Sequence, residues 1–133
     1  MSTADPIAGP LKVLIVEDSP DDAELMAAEL EAAGRRVEWL RVDTEEAMSR
    51  ALVARDWDVV LSDYNMPHFS AGEALDVLLR VRGEAPFIIV SGMIGEEAAV
   101  GLVKSGATDF VMKNNLRRLA GSVERSLREL AVK

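Results

Sequence analysis

The sequence alternates five short apolar runs with stretches of helical spacing, and that alternation limits the fold more than any other feature. The runs are "LKVLIV" (Leu11–Val16), "VEWLRV" (Val37–Val42), "DVVLS" (Asp58–Ser62), "FIIVS" (Phe87–Ser91) and "DFVMK" (Asp109–Lys113). All are rich in Val, Ile and Leu and bounded by turn residues. Three are nearly continuous in hydrophobicity, the pattern of strands covered on both faces. Between them, Ser19 reads as an N-cap with Pro20 at the first helical position, opening a helix that stops at Gly34. Thr44 caps "EEAMSRALVAR", where Ala47, Met48, Ala51 and Leu52 keep the helical period. The stretches "AGEALDVLLRVRG", "EEAAVGLVKSG" and "LRRLAGSVERSLRELAVK" supply three more helices. In the last, Leu116, Leu119, Val123, Leu127 and Leu130 form one apolar stripe. Five βα units in succession predict a doubly wound α/β fold, a parallel sheet with helices on both faces joined by right-handed crossovers.

The 133 residues suffice for one domain with one sizeable core. Residues 1–10, with Pro6, Gly9 and Pro10, read as a flexible arm, and residues 11–133 as the domain. A formal net charge of -8 repels a phosphate backbone and argues against direct nucleic-acid binding. With no cysteine there is no disulfide framework, thiolate metal site or thiol nucleophile. No apolar run approaches the ~18 residues of a membrane span, and the start lacks the basic and apolar regions of a signal peptide. A cytoplasmic location is the expectation.

In open parallel sheets, functional groups gather beyond the carboxyl ends of the strands. Here the first strand runs into Glu17-Asp18, with Asp21 and Asp22 close behind. The third leads to Asp63, the fourth to Ser91-Gly92 and the fifth to Lys113. Taken singly, each has an ordinary explanation: an acidic pair complementing a helix dipole, a turn aspartate, a capping serine, a solvated lysine. Taken together, they would have to put polar residues at one edge of four strands by coincidence. Like charges this close oppose each other's ionisation, so a positive group belongs among them. Hard carboxylate oxygens suit Mg²⁺, which takes one or two carboxylates and keeps several waters. A carboxylate beside such a metal can accept a phosphoryl group as an aspartyl phosphate. An ammonium, a hydroxyl and backbone amides would then share the added charge with the metal. No glycine-rich phosphate loop follows the first strand, which excludes a nucleotide-binding reading.

These motifs, "VEDS", "LSDYNMP", "VSG" and "DFVMK", resemble those of receiver domains of two-component response regulators, of the single-domain chemotaxis-receiver kind. The likeness runs from about Leu11 to the last helix. It implies a (βα)5 flavodoxin-like fold with strand order 2-1-3-4-5 and phosphorylation of Asp63 by a sensor histidine kinase or a phosphotransfer protein. It further implies Mg²⁺ held by Asp18 and Asp63, by Glu17 through water, and by the Asn65 backbone carbonyl. Ser91 matches the family's hydroxyl switch residue, Gly92 the neighbouring amide, Lys113 its lysine and Phe110 its switch aromatic. Phosphorylation would alter the surface of helix four, strand five and helix five, which a downstream protein reads. Such a chain is no enzyme beyond catalysing its own phosphorylation and dephosphorylation, with Asp63, Lys113 and Ser91 as the groups involved. Monomer or weak homodimer is the expected state.

Two positions depart from the family pattern. Lys113 precedes Asn114 where proline in a cis peptide is common, so the loop is either trans and rearranged or strained. Phe110 lacks a tyrosine's hydroxyl. Met93, two beyond Ser91, cannot orient an attacking water. Two other readings compete: a receiver that binds partners without phosphorylation, and a phosphohydrolase using Asp63. The first would be marked by loss of an acidic residue, and none is lost. The second usually needs a carboxylate two residues beyond the nucleophile, where Asn65 stands. His68 reads as a surface loop residue, Trp39 and Trp57 as core-edge packing. Arg117, Arg118, Arg125 and Arg128 read as a solvated face or a partner contact.

Overall fold

A computed structural model describes residues 10–64, 66–81, 83–92 and 96–132. The expectations for the N-terminal arm, the Asn65 carbonyl and Met93 therefore lie outside the described residues. The elements follow in the order β1 (Leu11–Val16), α1 (Pro20–Ala32), β2 (Val37–Val42), α2 (Glu45–Ala54), β3 (Val59–Asp63), α3 (Ala71–Val81), β4 (Phe87–Ser91), α4 (Glu96–Lys104), β5 (Asp109–Met112) and α5 (Arg118–Val132). The strands form one parallel sheet in the order β2-β1-β3-β4-β5, the doubly wound arrangement expected from the alternation.

Local chemistry sets the element boundaries. The Ser19 hydroxyl accepts the Asp22 N–H at 3.2 Å, and the Thr44 hydroxyl accepts the Ala47 N–H at 3.1 Å, so both N-caps form as the sequence requires. Helix α3 opens with a reciprocal pair. The Glu73 N–H donates to Ser70 Oγ at 3.1 Å, and the Ser70 N–H donates to Glu73 Oε1 at 2.9 Å. Gly34, at φ 100°, makes the left-handed turn that ends the first helical segment. Three boundaries differ from the sequence reading. Asp63 is the last residue of β3 rather than the first after it. Lys113 opens a 3₁₀ turn over Lys113–Asn115 instead of closing β5. Consequently α5 begins at Arg118. Among the described residues no peptide is cis, so the Lys113–Asn114 bond is trans.

The sheet separates two apolar cores. Leu14, Val16, Val60, Phe87 and Ile89 pack with Met48, Leu52, Leu75 and Leu78 from α2 and α3. Val13, Ile15, Leu61, Ile88, Val90 and Val111 pack with Met26 and Leu30 of α1 and with Leu119 and Val123 of α5. Alternating side chains along each strand supply the two sets. Burial is complete along β1, β3 and β4 except at Lys12, and it alternates on the edge strand β2. Both tryptophans sit at core edges, Trp39 against the α1–α5 side and Trp57 against the other. Trp57 also donates its indole N–H to the Ala51 carbonyl at 2.9 Å. The apolar stripe on α5 holds through Leu127 but not at Leu130, which is 41% exposed. The helix has by then run past the sheet.

Candidate functional site

Two-residue periodicity carries past the strand ends and sorts the candidate residues onto the two faces. Glu17, Asp63 and Lys113 continue the rows of Ile15, Leu61 and Val111, which pack toward α1 and α5. Ser91 continues the row of Phe87 and Ile89, and Phe110 packs partly buried on that same α2–α3 side. The sheet edge thus separates an acidic group with its ammonium from a hydroxyl with its aromatic ring.

On the first face, Glu17, Asp18 and Asp63 each bring a carboxylate oxygen within 4.8 Å of the others. Glu17 and Asp63 are buried and Asp18 is exposed, so the cluster opens to solvent through Asp18. The Glu17 N–H extends the β1–β2 ladder by donating to the Val42 carbonyl at 2.9 Å. Glu17 Oε2 accepts the Ser19 N–H at 3.2 Å. Its other oxygen, Oε1, pairs with Lys113 Nζ at 3.2 Å. Three carboxylates still face one ammonium, and a further cation would offset the excess negative charge. These hard oxygens fit a divalent cation, and the cluster is able to hold one.

Lys113 stands over the group. Its Nζ is 2.7 Å from Asp22 Oδ2, 3.2 Å from Glu17 Oε1 and 3.5 Å from Asp63 Oδ1. Its stem passes Gly92, where an added Cβ would lie 3.9 Å from Lys113 Cδ. Burial pushes the Glu17 carboxyl up from 4.5 to about 7. The Ser19 amide opposes the rise, Asp63 adds to it and Lys113 opposes it. For Lys113 burial works against the charged form, but Asp22, Glu17 and Asp63 outweigh it and hold the ammonium above the usual lysine range.

The structure brings Glu17, Asp18, Asp63 and Lys113 together, with Gly92 beside the lysine stem. Ser91 is fully buried at the end of β4, one strand from Asp63. Asp22 acquires a role beyond the acidic run in which the sequence displays it. Its signal was present in Ser19-x-x-Asp22, a capping-box spacing whose carboxylate turns to Lys113 instead of the cap amide. Arg41 went unnoticed: its guanidinium donates to the Glu17 carbonyl at 3.1 Å and pairs with Asp43 at 3.5 Å, bracing the loop that carries the acidic pair. The α5 arginines are all exposed, but not all are merely solvated. Arg125 pairs with Asp109, which also accepts the Ser122 hydroxyl at 2.6 Å, and Arg118 donates to the Phe110 carbonyl at 3.4 Å. His68 is exposed, as a loop residue should be.

No helix among the described residues is long and apolar enough to cross a membrane. The family described as response regulator receiver domain matches residues 13–124. The nitrogen assimilation regulatory protein NtrX of Azorhizobium caulinodans is 33% identical over 124 residues, covering 91% of this chain and 27% of that protein. The cell cycle response regulator CtrA of Brucella abortus is 31% identical over 103 residues, covering 77% of this chain and 44% of that protein. The chain thus spans less than half the length of these relatives. Among solved structures, the receiver domain of a signal transduction histidine kinase from Syntrophus aciditrophicus is 30% identical with a TM-score of 0.71, covering 89% of this chain and 90% of that one. A response regulator receiver domain from Clostridium thermocellum shares the fold at 21% identity and TM-score 0.79, covering 92% and 98%. With its 2-1-3-4-5 sheet and its acidic edge, the chain belongs to the receiver domains of two-component response regulators.

Proposed function

We propose that this chain accepts a phosphoryl group on Asp63 from the phosphohistidine of a sensor kinase or phosphotransfer protein, in a Mg²⁺-dependent reaction. The observation that carries the reading is the meeting of Glu17, Asp18 and Asp63 within 4.8 Å, with the Lys113 ammonium 3.5 Å from Asp63 Oδ1. In the transfer an Asp63 oxygen forms a bond to phosphorus as the donor's P–N bond breaks. The bonding pair leaves on the imidazole nitrogen, which takes up a proton. Glu17, Asp18, Asp63 and the Asn65 carbonyl are the residues that would hold Mg²⁺, and the ion would supply positive charge for phosphoryl oxygens. Lys113 adds a second positive charge, and Ser91 with the Gly92 amide serves as a hydroxyl and N–H pair for the remaining oxygen. Ser91 and Phe110, on the opposite face of the sheet from Lys113, would report the added group to the surface of α4, β5 and α5, where a downstream protein docks.

Residues 11–133 would make up the receiver domain. It works in the cytoplasm as a monomer or weak homodimer, touches neither nucleic acid nor membrane, and has no turnover beyond its own phosphorylation and dephosphorylation. Intact mass after incubation with acetyl phosphate tests the reading. One phosphoryl adduct is expected with Mg²⁺, none in Asp63→Asn and none with excess chelator. An adduct that persists in Asp63→Asn, or forms equally well without divalent metal, overturns it.

A further inference from the structure

The shortest ion pair of Lys113 does not point at the phosphoacceptor. Nζ lies 2.7 Å from Asp22 Oδ2, against 3.2 Å to Glu17 and 3.5 Å to Asp63. Asp22 is on α1, three residues after the N-cap Ser19. An acidic residue at that place ordinarily turns back onto the cap's own N–H. Here Glu17 takes that amide at 3.2 Å, and the Asp22 carboxylate reaches across to a lysine 91 positions away. A lysine ammonium has three N–H donors, so a short bond to α1 commits one of them away from Asp63. Beside the pair lies a cavity of about 70 Å³ lined by Asp22, Leu25, Met26, Lys113 and Leu116.

We propose that Asp22 is a positioning residue that sets the resting seat of Lys113 and competes with a phosphoryl group on Asp63 for its ammonium. The inference rests on Asp63 being the phosphoacceptor. In the resting chain the lysine is shared between α1 and the acidic cluster. When a phosphoryl group arrives, its oxygens draw the ammonium inward and the bond to Asp22 is given up, which penalises the phosphorylated state. Asp22 therefore lowers the affinity of the site for a phosphoryl group. It also makes the contact between α1 and the 3₁₀ turn after β5 depend on whether that group is present. A purely structural ion pair would instead pin α1 to the turn in both states, affecting stability but not phosphoryl affinity.

The test uses the full chain and beryllofluoride with Mg²⁺, a phosphoryl mimic that bonds to a carboxylate, titrated by calorimetry into wild type, Asp22→Asn and Asp22→Glu. Asp22→Asn should bind the mimic about two- to fivefold more tightly, the range expected for removing one partly exposed competing pair. Asp22→Glu, which keeps the charge, should bind as wild type does. The second readout needs neither metal nor mimic. In metal-free protein with ¹⁵N-labelled lysine, the Lys113 ammonium resonance should move in Asp22→Asn and return toward its wild-type position in Asp22→Glu. Equal or weaker binding of the mimic by Asp22→Asn, or an unmoved Lys113 resonance, overturns the inference while leaving the phosphoacceptor reading intact. If wild type itself fails to bind the mimic, the phosphoacceptor reading falls, and the inference with it.

Discussion

Replacing Glu17 by glutamine should make the metal-free protein more stable, and only above a definite pH. Glu17 is buried, and its carboxyl is raised from 4.5 to about 7, chiefly by burial. The folded state therefore holds this proton more tightly than the unfolded chain does. Stability is undiminished by this group below pH 4.5, falls as pH climbs from 4.5 through about 7, and levels off above that. At about 1.4 kcal/mol per pH unit over that window, the charged group costs up to about 3 kcal/mol at pH 8. Glutamine keeps an acceptor for the Ser19 N–H at 3.2 Å, and the attraction to Lys113 that it gives up is already contained in the net rise to about 7. The net gain is about 3 kcal/mol at pH 8 and less than about 1 kcal/mol at pH 5. Lys113 does not blur the measurement. Its raised pKa gives stability that is fully present below the ordinary lysine range and is lost only at higher pH. Urea unfolding with chelator at constant ionic strength, from pH 5 to 8, reads the difference. With a dependence of about 1.5 kcal/mol per molar urea, the midpoint at pH 8 should rise by more than about 1 M. Wild-type and Glu17→Gln stabilities that run parallel across this range would refute the reasoning, as would a variant that is weaker at pH 8.

Mg²⁺ at a hundredfold excess over its dissociation constant should stabilise wild type by about 2.7 kcal/mol, and Asp18→Asn and Asp63→Asn should lose most of that increment in thermal melts. An equal increment in all three would disprove a shared seat. A Cβ at Gly101, inside α4, meets nothing within 4 Å, so Gly101→Ala should raise stability by about 0.5–1 kcal/mol. Gly106→Ala should lower stability by about 1 kcal/mol or more, because φ is 127° there although a Cβ would come no closer than 3.6 Å to Leu79. The two melts must shift in opposite directions. Ser19→Ala should cost about 1 kcal/mol by removing the cap on Asp22 N–H, and urea midpoints that match wild type would show the cap to be dispensable.

The sequence announces most of the fold because its local signals agree. Ser19, Thr44 and Gly34 mark ends that backbone chemistry enforces on the spot, and the apolar runs of β1, β3 and β4 match strands buried on both faces. The acidic edge is legible for a related reason. A parallel sheet delivers every strand end to one side, so residues far apart in sequence are collected by topology alone. What stays hidden depends on individual side-chain reach. Asp22 reads as an ordinary first-turn acid until Lys113, 91 positions on, is seen within 2.7 Å of it. Arg41 lies on the edge strand β2 and shows its hold on the Glu17 carbonyl only once β1 and β2 are in register. The early end of β5 and the exposure of Leu130 likewise follow from where the chain leaves the sheet, which hydrophobic spacing does not encode.

The sheet also acts as a partition. The α1–α5 core and the α2–α3 core share strands but not side chains, and a layer of backbone stands between Leu119 on one side and Leu78 on the other. Substitutions on opposite sides should therefore add in their effects on folding, whereas neighbours within one core should not. The apolar packing beneath Lys113 can thus be altered without disturbing the packing beneath Phe110, and what ties the two sides together is confined to the strand edge where Asp63, Ser91 and Lys113 lie.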